Sequence, residues 1–204
     1  MTQESRLDAR FWEERYQDNL TPWDLGEPAP PMVDFLASPQ APTTGRVVVP
    51  GCGRGHEALL LAAHGFEVLG LDFAPSAVEY CRQQAHSRGL DDRASFERHD
   101  LFRLPPSFNA AFDYAVEHTC FCAIDPSLRP NYARTIHDIL KPGGKLWAVF
   151  WAHNREGGPP YRTSAEEVRH LFSPLFEIEH LAPARRWHSR RNGDELWGVL
   201  TRKA

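Results

Sequence analysis

The sequence has no long apolar stretch. Its longest uninterrupted apolar run, Leu146–Ala152, is seven residues, against the roughly 20 that a membrane-spanning helix needs, so no membrane partner is expected. The segment Met1 to Arg10 is polar and charged and lacks the apolar centre of a secretory leader, which makes a cytoplasmic location the expectation. Cysteine is scarce, with four residues at 52, 81, 120 and 122. Nothing marks secretion, so they read as reduced thiols packed in or near the core. Cys120 and Cys122 are too close for the usual zinc-knuckle spacing, and the ten histidines show no ligand spacing, so no metal is expected. Glycine and proline, 14 and 17 of 204 residues, are too few for a low-complexity chain. There is no internal repeat.

What remains is an ordinary globular composition, 42% hydrophobic and 25% charged, long enough for one domain over residues 1–204 with a core of its own. The formal net charge is −4, unevenly placed: residues 1–102 carry −7 and residues 103–204 carry +3. The positive excess sits mainly in Arg185-Arg186-Trp187-His188-Ser189-Arg190-Arg191. It reads as a solvated loop between two strands. An acidic chain has no general attraction for phosphate, so no nucleic-acid partner is expected.

Patterning predicts an amphipathic helix over 8–19, a proline-studded extended stretch from Thr21 to Pro31 and a short helix over Met32–Ala37. Strands are predicted at Arg46–Pro50, Glu67–Asp72, Ala94–Arg98, Phe112–Glu117, Lys145–Ala152, Phe176–Leu181 and Glu195–Thr201. Helices are predicted at His56–His64, Pro75–Arg88, Leu128–Leu140 (stopped by Lys141-Pro142-Gly143-Gly144) and Ser164–Phe172, the last opening on a capping box. Strands alternating with helices from residue 46 onward predict an α/β fold, a doubly wound, mostly parallel seven-stranded sheet. A short glycine-containing loop joins the last two strands, so one of them is a candidate for antiparallel pairing.

The most informative segment is Val47-Val48-Val49-Pro50-Gly51-Cys52-Gly53-Arg54-Gly55, which leaves a strand and opens a helix. Glycines there let the backbone of Gly51, Cys52 and Gly53 approach a ligand, and the helix N-terminus offers free N–H donors. Asp72 ends the next strand, where a carboxylate accepts hydrogen bonds from ribose hydroxyls. Asp100 closes the third strand and suits an adenine amino group, with the backbone at Leu101 reading the ring edge. Glu117, at the end of the fourth strand, lies where an amino-acid tail would pass. A dinucleotide fingerprint needs its third glycine at the position of His56. The early Gly55 suits S-adenosylmethionine better, since no pyrophosphate has to be seated.

Phe11-Trp12-Glu13-Glu14-Arg15-Tyr16, Thr21-Pro22-Trp23-Asp24-Leu25-Gly26, Gly70-Leu71-Asp72-Phe73-Ala74-Pro75, Phe121-Cys122-Ala123-Ile124-Asp125-Pro126-Ser127-Leu128-Arg129 and Gly157-Gly158-Pro159-Pro160-Tyr161, with the glycine loop, resemble the thiopurine S-methyltransferase family and its thiol and halide methyltransferase branch. The resemblance covers roughly residues 11 to 172. It implies a class I S-adenosylmethionine-dependent methyltransferase whose acceptor is sulfur or another soft atom. It also implies an N-terminal lid, residues 1–38, whose Trp12, Tyr16 and Trp23 cover the cofactor. Tyr16 stands where plant members have tryptophan. With few other partners in view, this arm is expected to order when cofactor binds. Val49 replaces the acid that many class I enzymes carry two residues before the first glycine, as is usual in this family. Glu27 replaces an arginine of some halide and thiol members, and its charge would repel an anion such as iodide.

A thiol must ionise before it attacks, and its free pKa is near 8.5. The resemblance makes Arg129 the candidate to stabilise the thiolate, and Tyr161 a second catalytic candidate. His118, near the fourth strand's tip, is a candidate substrate contact. The expected function is methyl transfer to a small-molecule acceptor, most simply a thiol or thiopurine-like sulfur, by a monomer. Alternatives are a methyltransferase for halide or for selenium and tellurium compounds, a nicotinamide-dependent reductase, and a non-catalytic cofactor-binding module.

Overall fold

The computed structural model describes residues 7–204; residues 1–6 of the expected lid lie outside the described residues. Helix α1 (Ala9–Gln17) begins where the Asp8 side chain accepts the Phe11 N–H, and α2 (Pro30–Leu36) has proline at its first positions. The alternating unit follows as β1 (Arg46–Pro50), α3 (His56–Ala63), β2 (Glu67–Asp72), α4 (Pro75–Ser87), β3 (Ala94–Arg98) and β4 (Phe112–His118). Then come α5 (Arg129–Ile139), β5 (Leu140–Trp151), α6 (Ala165–Phe172), β6 (Phe176–Pro183) and β7 (Glu195–Arg202). Ser164 caps α6 by accepting the Glu167 N–H at 3.1 Å.

The seven strands form one sheet in the order β3-β2-β1-β4-β5-β7-β6. Strands β1 to β5 pair in parallel, whereas β7 runs antiparallel to both β5 and β6. Val48, Leu69 and Leu71 face α5 and α6 with Phe121, Tyr132, Phe150 and Phe172. Val47, Val49 and Val68 face α3 and α4 with Leu59, Val78 and Trp147. Alternation along β1 thus feeds both layers, which is why these strands read as continuous apolar runs.

One element differs from the sequence reading. Strand β5 starts at Leu140, five residues earlier than expected, and runs through the Pro-Gly-Gly segment. Leu140 pairs with Phe112 and Lys145 with Tyr114, so residues 141–144 bulge opposite Asp113 alone. Pro142 has no N–H to give a ladder and Gly143 sits at φ +75°, so the chain kinks there without leaving the sheet edge-on. Lys141 Nζ fixes the bulge on Asp113 Oδ1 at 2.7 Å.

The strand order reverses between β1 and β4. In an open parallel sheet the loops at the carboxyl ends part at that point and leave a crevice. The crevice here lies over Gly51 just after β1, Asp72 of β2, the turn after β3 and His118 of β4.

Candidate active site

A cavity of about 590 Å³ occupies this crevice, within the range that holds a cofactor-sized ligand. Nine residues singled out in the sequence line it together: Trp12, Tyr16, Trp23, Gly51, Cys52, Gly53, Asp72, Asp100 and Leu101.

The glycine loop is shaped by short contacts. Gly51 lies at φ +58°, and a Cβ there would stand 2.7 Å from Cys120 Sγ. Gly53 donates its N–H to Asp72 Oδ2 at 2.9 Å, while Ala74 N–H reaches Oδ1 at 2.9 Å. Asp72 therefore ties the loop to the end of β2. Each oxygen has taken one donor and keeps a lone pair free, which is what two ribose hydroxyls need. Burial raises the Asp72 pKa, with the Ala74, Gly53 and Phe73 amides pulling it back. Asp100 accepts the Phe102 N–H at 2.9 Å, which holds the turn after β3 against the cavity.

His56, which stands in place of a third glycine, has a positive task. Its Nε2 meets Asp24 Oδ1 at 2.8 Å, and Arg54 Nε meets Asp24 Oδ2 at 3.0 Å. Burial opposes the Asp24 charge, but the His56 bond, the Gly26 N–H and Arg54 outweigh it and hold the carboxyl below its usual range. Arg54 in the loop and His56 just after it thus anchor the arm.

The arm has more partners than expected. Glu13 accepts from Ser76 N and Oγ at 2.9 and 2.5 Å. Arg191 Nη2 donates to the Trp23 carbonyl at 3.0 Å, Arg190 donates to the Asp24 carbonyl, and Arg186 pairs with Asp34 at 3.0 Å. The arm is docked on the body, and its three aromatic rings pack edge to face at centroid distances of 5.4 Å (Trp12–Trp23) and 5.9 Å (Tyr16–Trp23). The basic stretch is mostly exposed, as expected of a solvated loop. It is a loop between β6 and β7, but Arg191 is buried and the segment clamps the arm.

Three site candidates fall outside the cavity wall. Glu117 points to the opposite face of β4 from His118, because side chains alternate along a strand. Its carboxylate accepts from Phe121 N at 2.8 Å and from the Tyr132 hydroxyl. It braces the turn after β4 instead of meeting a cofactor tail. Burial lifts its pKa to about 7. Arg129 is buried and not on the cavity wall. It bonds Glu167 Oε1 at 2.6 Å and the carbonyls of Arg162 at 3.0 Å and Tyr161 at 3.4 Å, with its guanidinium over the Phe121 ring. Tyr161 donates its N–H to the Cys122 carbonyl at 2.6 Å and lays its ring against Gly158. Arg129 and Tyr161 together hold the segment that carries Pro159 and Pro160 into the cavity.

Several wall residues were not anticipated, among them Glu57, Thr119, Asn131 and Trp151. Glu57 is hidden in the apolar run of α3 and Trp151 at the end of a buried strand, so neither has a motif around it. All four cysteines are free and buried. Burial pushes the Cys122 thiol up to about 12, so it stays protonated and is no nucleophile at neutral pH. Among the described residues no group of three His, Cys, Asp or Glu side chains could hold a metal. Among them too, no helix is long and apolar enough to cross a membrane.

The model of the thiopurine S-methyltransferase family matches residues 7–202. The chain belongs to that family. It is an S-adenosylmethionine-dependent methyltransferase. It is 36% identical over 165 residues to the probable thiol methyltransferase 2 of Arabidopsis thaliana, covering 80% of this chain and 72% of that one. It is 26% identical over 188 residues to the thiopurine S-methyltransferase of Pseudomonas fluorescens strain SBW25, covering 86% of each. The fold is that of the Burkholderia thailandensis 1,6-didemethyltoxoflavin-N1-methyltransferase, at 18% identity and a TM-score of 0.73, over 96% of this chain and 87% of that one.

The methyltransferase's own residues fit the cofactor. The glycine cradle leaves no room for a side chain at Gly51, and Asp72 keeps acceptor capacity beside it. Asp72→Ala is expected to weaken S-adenosylhomocysteine by roughly tenfold to a hundredfold, from charge-assisted bonds of about 1.5–3 kcal/mol. It also strands the Gly53 and Ala74 N–H groups, so Tm should fall. Asp72→Asn, which keeps an acceptor oxygen, should lose less Tm than affinity. Calorimetry and melting curves of both variants separate the two roles, and an unchanged dissociation constant would remove Asp72 from the site.

Glu117 is expected to make the stability depend on pH. Its folded pKa of about 7 exceeds the ordinary 4.5. Native protein thus holds a proton that unfolded chain has lost, and Glu117's contribution declines as pH rises from about 4.5 to about 7. Denaturant midpoints for Glu117→Gln should lack this decline. A variant with the wild-type slope would show that another group titrates.

Proposed function

We propose that the enzyme methylates a small thiol or thiopurine-like sulfur, acting as a monomer in the cytoplasm, with residues 1–38 as a lid over the cofactor. The carrying observation is the two-ended cavity. Over β2 and β3 it carries the carboxylates Asp72 and Asp100 beside Phe73, Leu101 and Phe102; over β4 and β5 its wall is mainly apolar, with Cys122, Ile124, Leu128, Trp151, Pro159 and Pro160 beside Thr119, Asp125 and Asn131. An apolar end suits a soft, weakly hydrated nucleophile and disfavours a strongly hydrated oxygen anion. The relatives named for thiol and thiopurine acceptors support the same reading.

S-adenosylmethionine supplies an electrophilic methyl group when bound. Gly51, Cys52 and Gly53 would meet its amino-acid part with backbone, Asp72 the ribose, and Asp100 with the Leu101 backbone the adenine. Trp12, Tyr16 and Trp23 would cover it, exclude water and set an aromatic face near the positive sulfonium. Arg129 and Tyr161 act by positioning the Pro159–Pro160 wall against the acceptor, so alignment is their contribution to rate.

A screen with methyl-labelled S-adenosylmethionine across thiols, thiopurines, halides, and oxyanions of selenium and tellurium tests the acceptor class. Labelled thioether from a thiol or thiopurine, at a rate above the other classes, is the expected result. Turnover confined to halides or to the oxyanions would overturn the sulfur assignment.

A further inference from the structure

We propose that Arg191 is a positioning residue of the methyl transfer: its one buried guanidinium seats both Trp23 over the cofactor and the Trp151 ring at the acceptor end of the cavity. The inference rests on the cover assigned to Trp23 above and names the side chain that holds it.

Arg191 closes the short turn Ser189–Arg191 before β7 and is 1% exposed. Its Nη2 donates to the Trp23 carbonyl at 3.0 Å. Its Cζ stands 3.9 Å from the centre of the Trp151 ring, within cation–π range. Trp23 and Trp151 both line the cavity, and Arg191 itself does not. Trp23 comes from the arm and Trp151 from the end of β5, so this guanidinium is a direct link between the cofactor's cover and the acceptor's wall. It can serve both because it is planar: its rim donates while its face stacks. A lysine ammonium has no such face.

The buried charge is held in a row. Arg191 Nε lies 3.4 Å from Glu195 Oε1, and that oxygen lies 3.9 Å from His118 Nε2. His118 Nδ1 lies 2.7 Å from Glu57 Oε1, which also accepts the Ala29 N–H at 2.9 Å. Burial disfavours an imidazolium, but Glu57 and then Glu195 raise the His118 pKa, which favours alternating charge along the row. The row begins at the Trp23 carbonyl and ends at the Ala29 N–H, so it grips both ends of segment 23–29. That segment puts Trp23, Asp24, Leu25 and Glu27 on the cavity wall. Replacing a buried ion pair by well-packed apolar groups is often neutral for stability. Apolar side chains at 191 and 195 could therefore serve the fold. They could not donate to the Trp23 carbonyl while presenting a cation to the Trp151 ring.

Titration calorimetry of the full chain with S-adenosylhomocysteine tests the proposal, each variant held well below its Tm. Arg191→Lys keeps a charge beside Glu195 but loses the planar fork and its face, and it should bind roughly tenfold more weakly. Trp23→Ala should also bind more weakly. Adding Arg191→Lys to it should cost no more than about twofold further, because the ring that Arg191 seats is gone. Trp151→Leu removes the face under the guanidinium. It should weaken the same ligand by roughly threefold in the wild-type background and not in Arg191→Lys. With the acceptor that turns over fastest in the screen above, kcat of folded Arg191→Lys at saturating cofactor should fall by roughly tenfold or more. Should Arg191→Lys not fold, Arg191→Met with Glu195→Gln takes its place, since it leaves Glu57 and His118 as a pair and strands no charge. A folded variant with a lower Tm but wild-type affinity overturns the proposal. So does a loss that is equally large in the Trp23→Ala background, or a Trp151→Leu effect that is absent from wild type or survives the change at 191. Wild-type affinity in Trp23→Ala alone overturns the cover reading itself, and the role of Arg191 with it.

Discussion

Arg129→Ala is expected to cost about 3 kcal/mol of stability and to slow methylation of every acceptor to the same degree. The guanidinium is almost fully buried, and it fills the space between Phe121 and the backbone at Tyr161 and Arg162. Removing one partner of a buried pair typically costs about 3–5 kcal/mol. The lower end applies because Glu167 is 30% exposed and water can solvate it once Arg129 is gone. For a chain of this length, about 3 kcal/mol corresponds to a Tm lower by roughly 6–12 °C. The carbonyls of Tyr161 and Arg162 then lose their donors, and the Pro159–Pro160 wall loosens. A misplaced wall harms alkyl and acidic aryl thiols alike, because alignment does not depend on how readily the thiol ionises. Melting curves and kcat/KM for the two thiol classes check both parts. A loss concentrated on the alkyl thiol would mean that Arg129 stabilises the thiolate directly.

Gly51→Ala is expected to damage the cofactor site strongly. The residue sits at φ +58°, a conformation that costs a non-glycine residue roughly 1–2 kcal/mol. The new Cβ would lie 2.7 Å from Cys120 Sγ and 3.0 Å from Cys120 Cβ. Overpacking of this kind costs about 1–3 kcal/mol more. The overlap is relieved by pushing the end of β1 away from the turn after β4, which distorts the glycine loop. S-adenosylhomocysteine should bind at least about thirtyfold more weakly. The double variant Gly51→Ala, Cys120→Ala removes the sulfur but not the backbone strain, so it should recover part of the loss. Full affinity in the single variant would mean that the loop is not the cofactor's cradle.

The fold was legible because its cues are local. Val47–Val49 announce a two-faced buried strand, Ser164 and Glu167 a helix start, and Gly51, Gly53 and Asp72 a loop and acid at neighbouring strand ends. The bulge at 141–144 was not, since a proline and two glycines also describe a turn, and pairing with Phe112 decides between them. In the site, the residues chosen for their backbone or position come together around one cavity. The errors concern side-chain direction. Glu117 and His118 are adjacent, and the sequence has no marker for which of them faces the crevice; strand alternation settles it only once β4 is seated. Arg129 has carboxylates within reach on both sides in sequence or space, and Glu167, 38 residues on, is the one that packing brings to it. The arm's partners at Arg190 and Arg191 are more than 160 residues away, beyond anything a local pattern encodes.

Titration calorimetry of the wild-type protein with S-adenosylhomocysteine and, in a separate cell, with NADH tests the central claim most directly. The early Gly55, the His56–Asp24 anchor and the free acceptor capacity of Asp72 predict one-to-one binding of S-adenosylhomocysteine and no heat from NADH. Heat from NADH with S-adenosylhomocysteine silent would contradict the account.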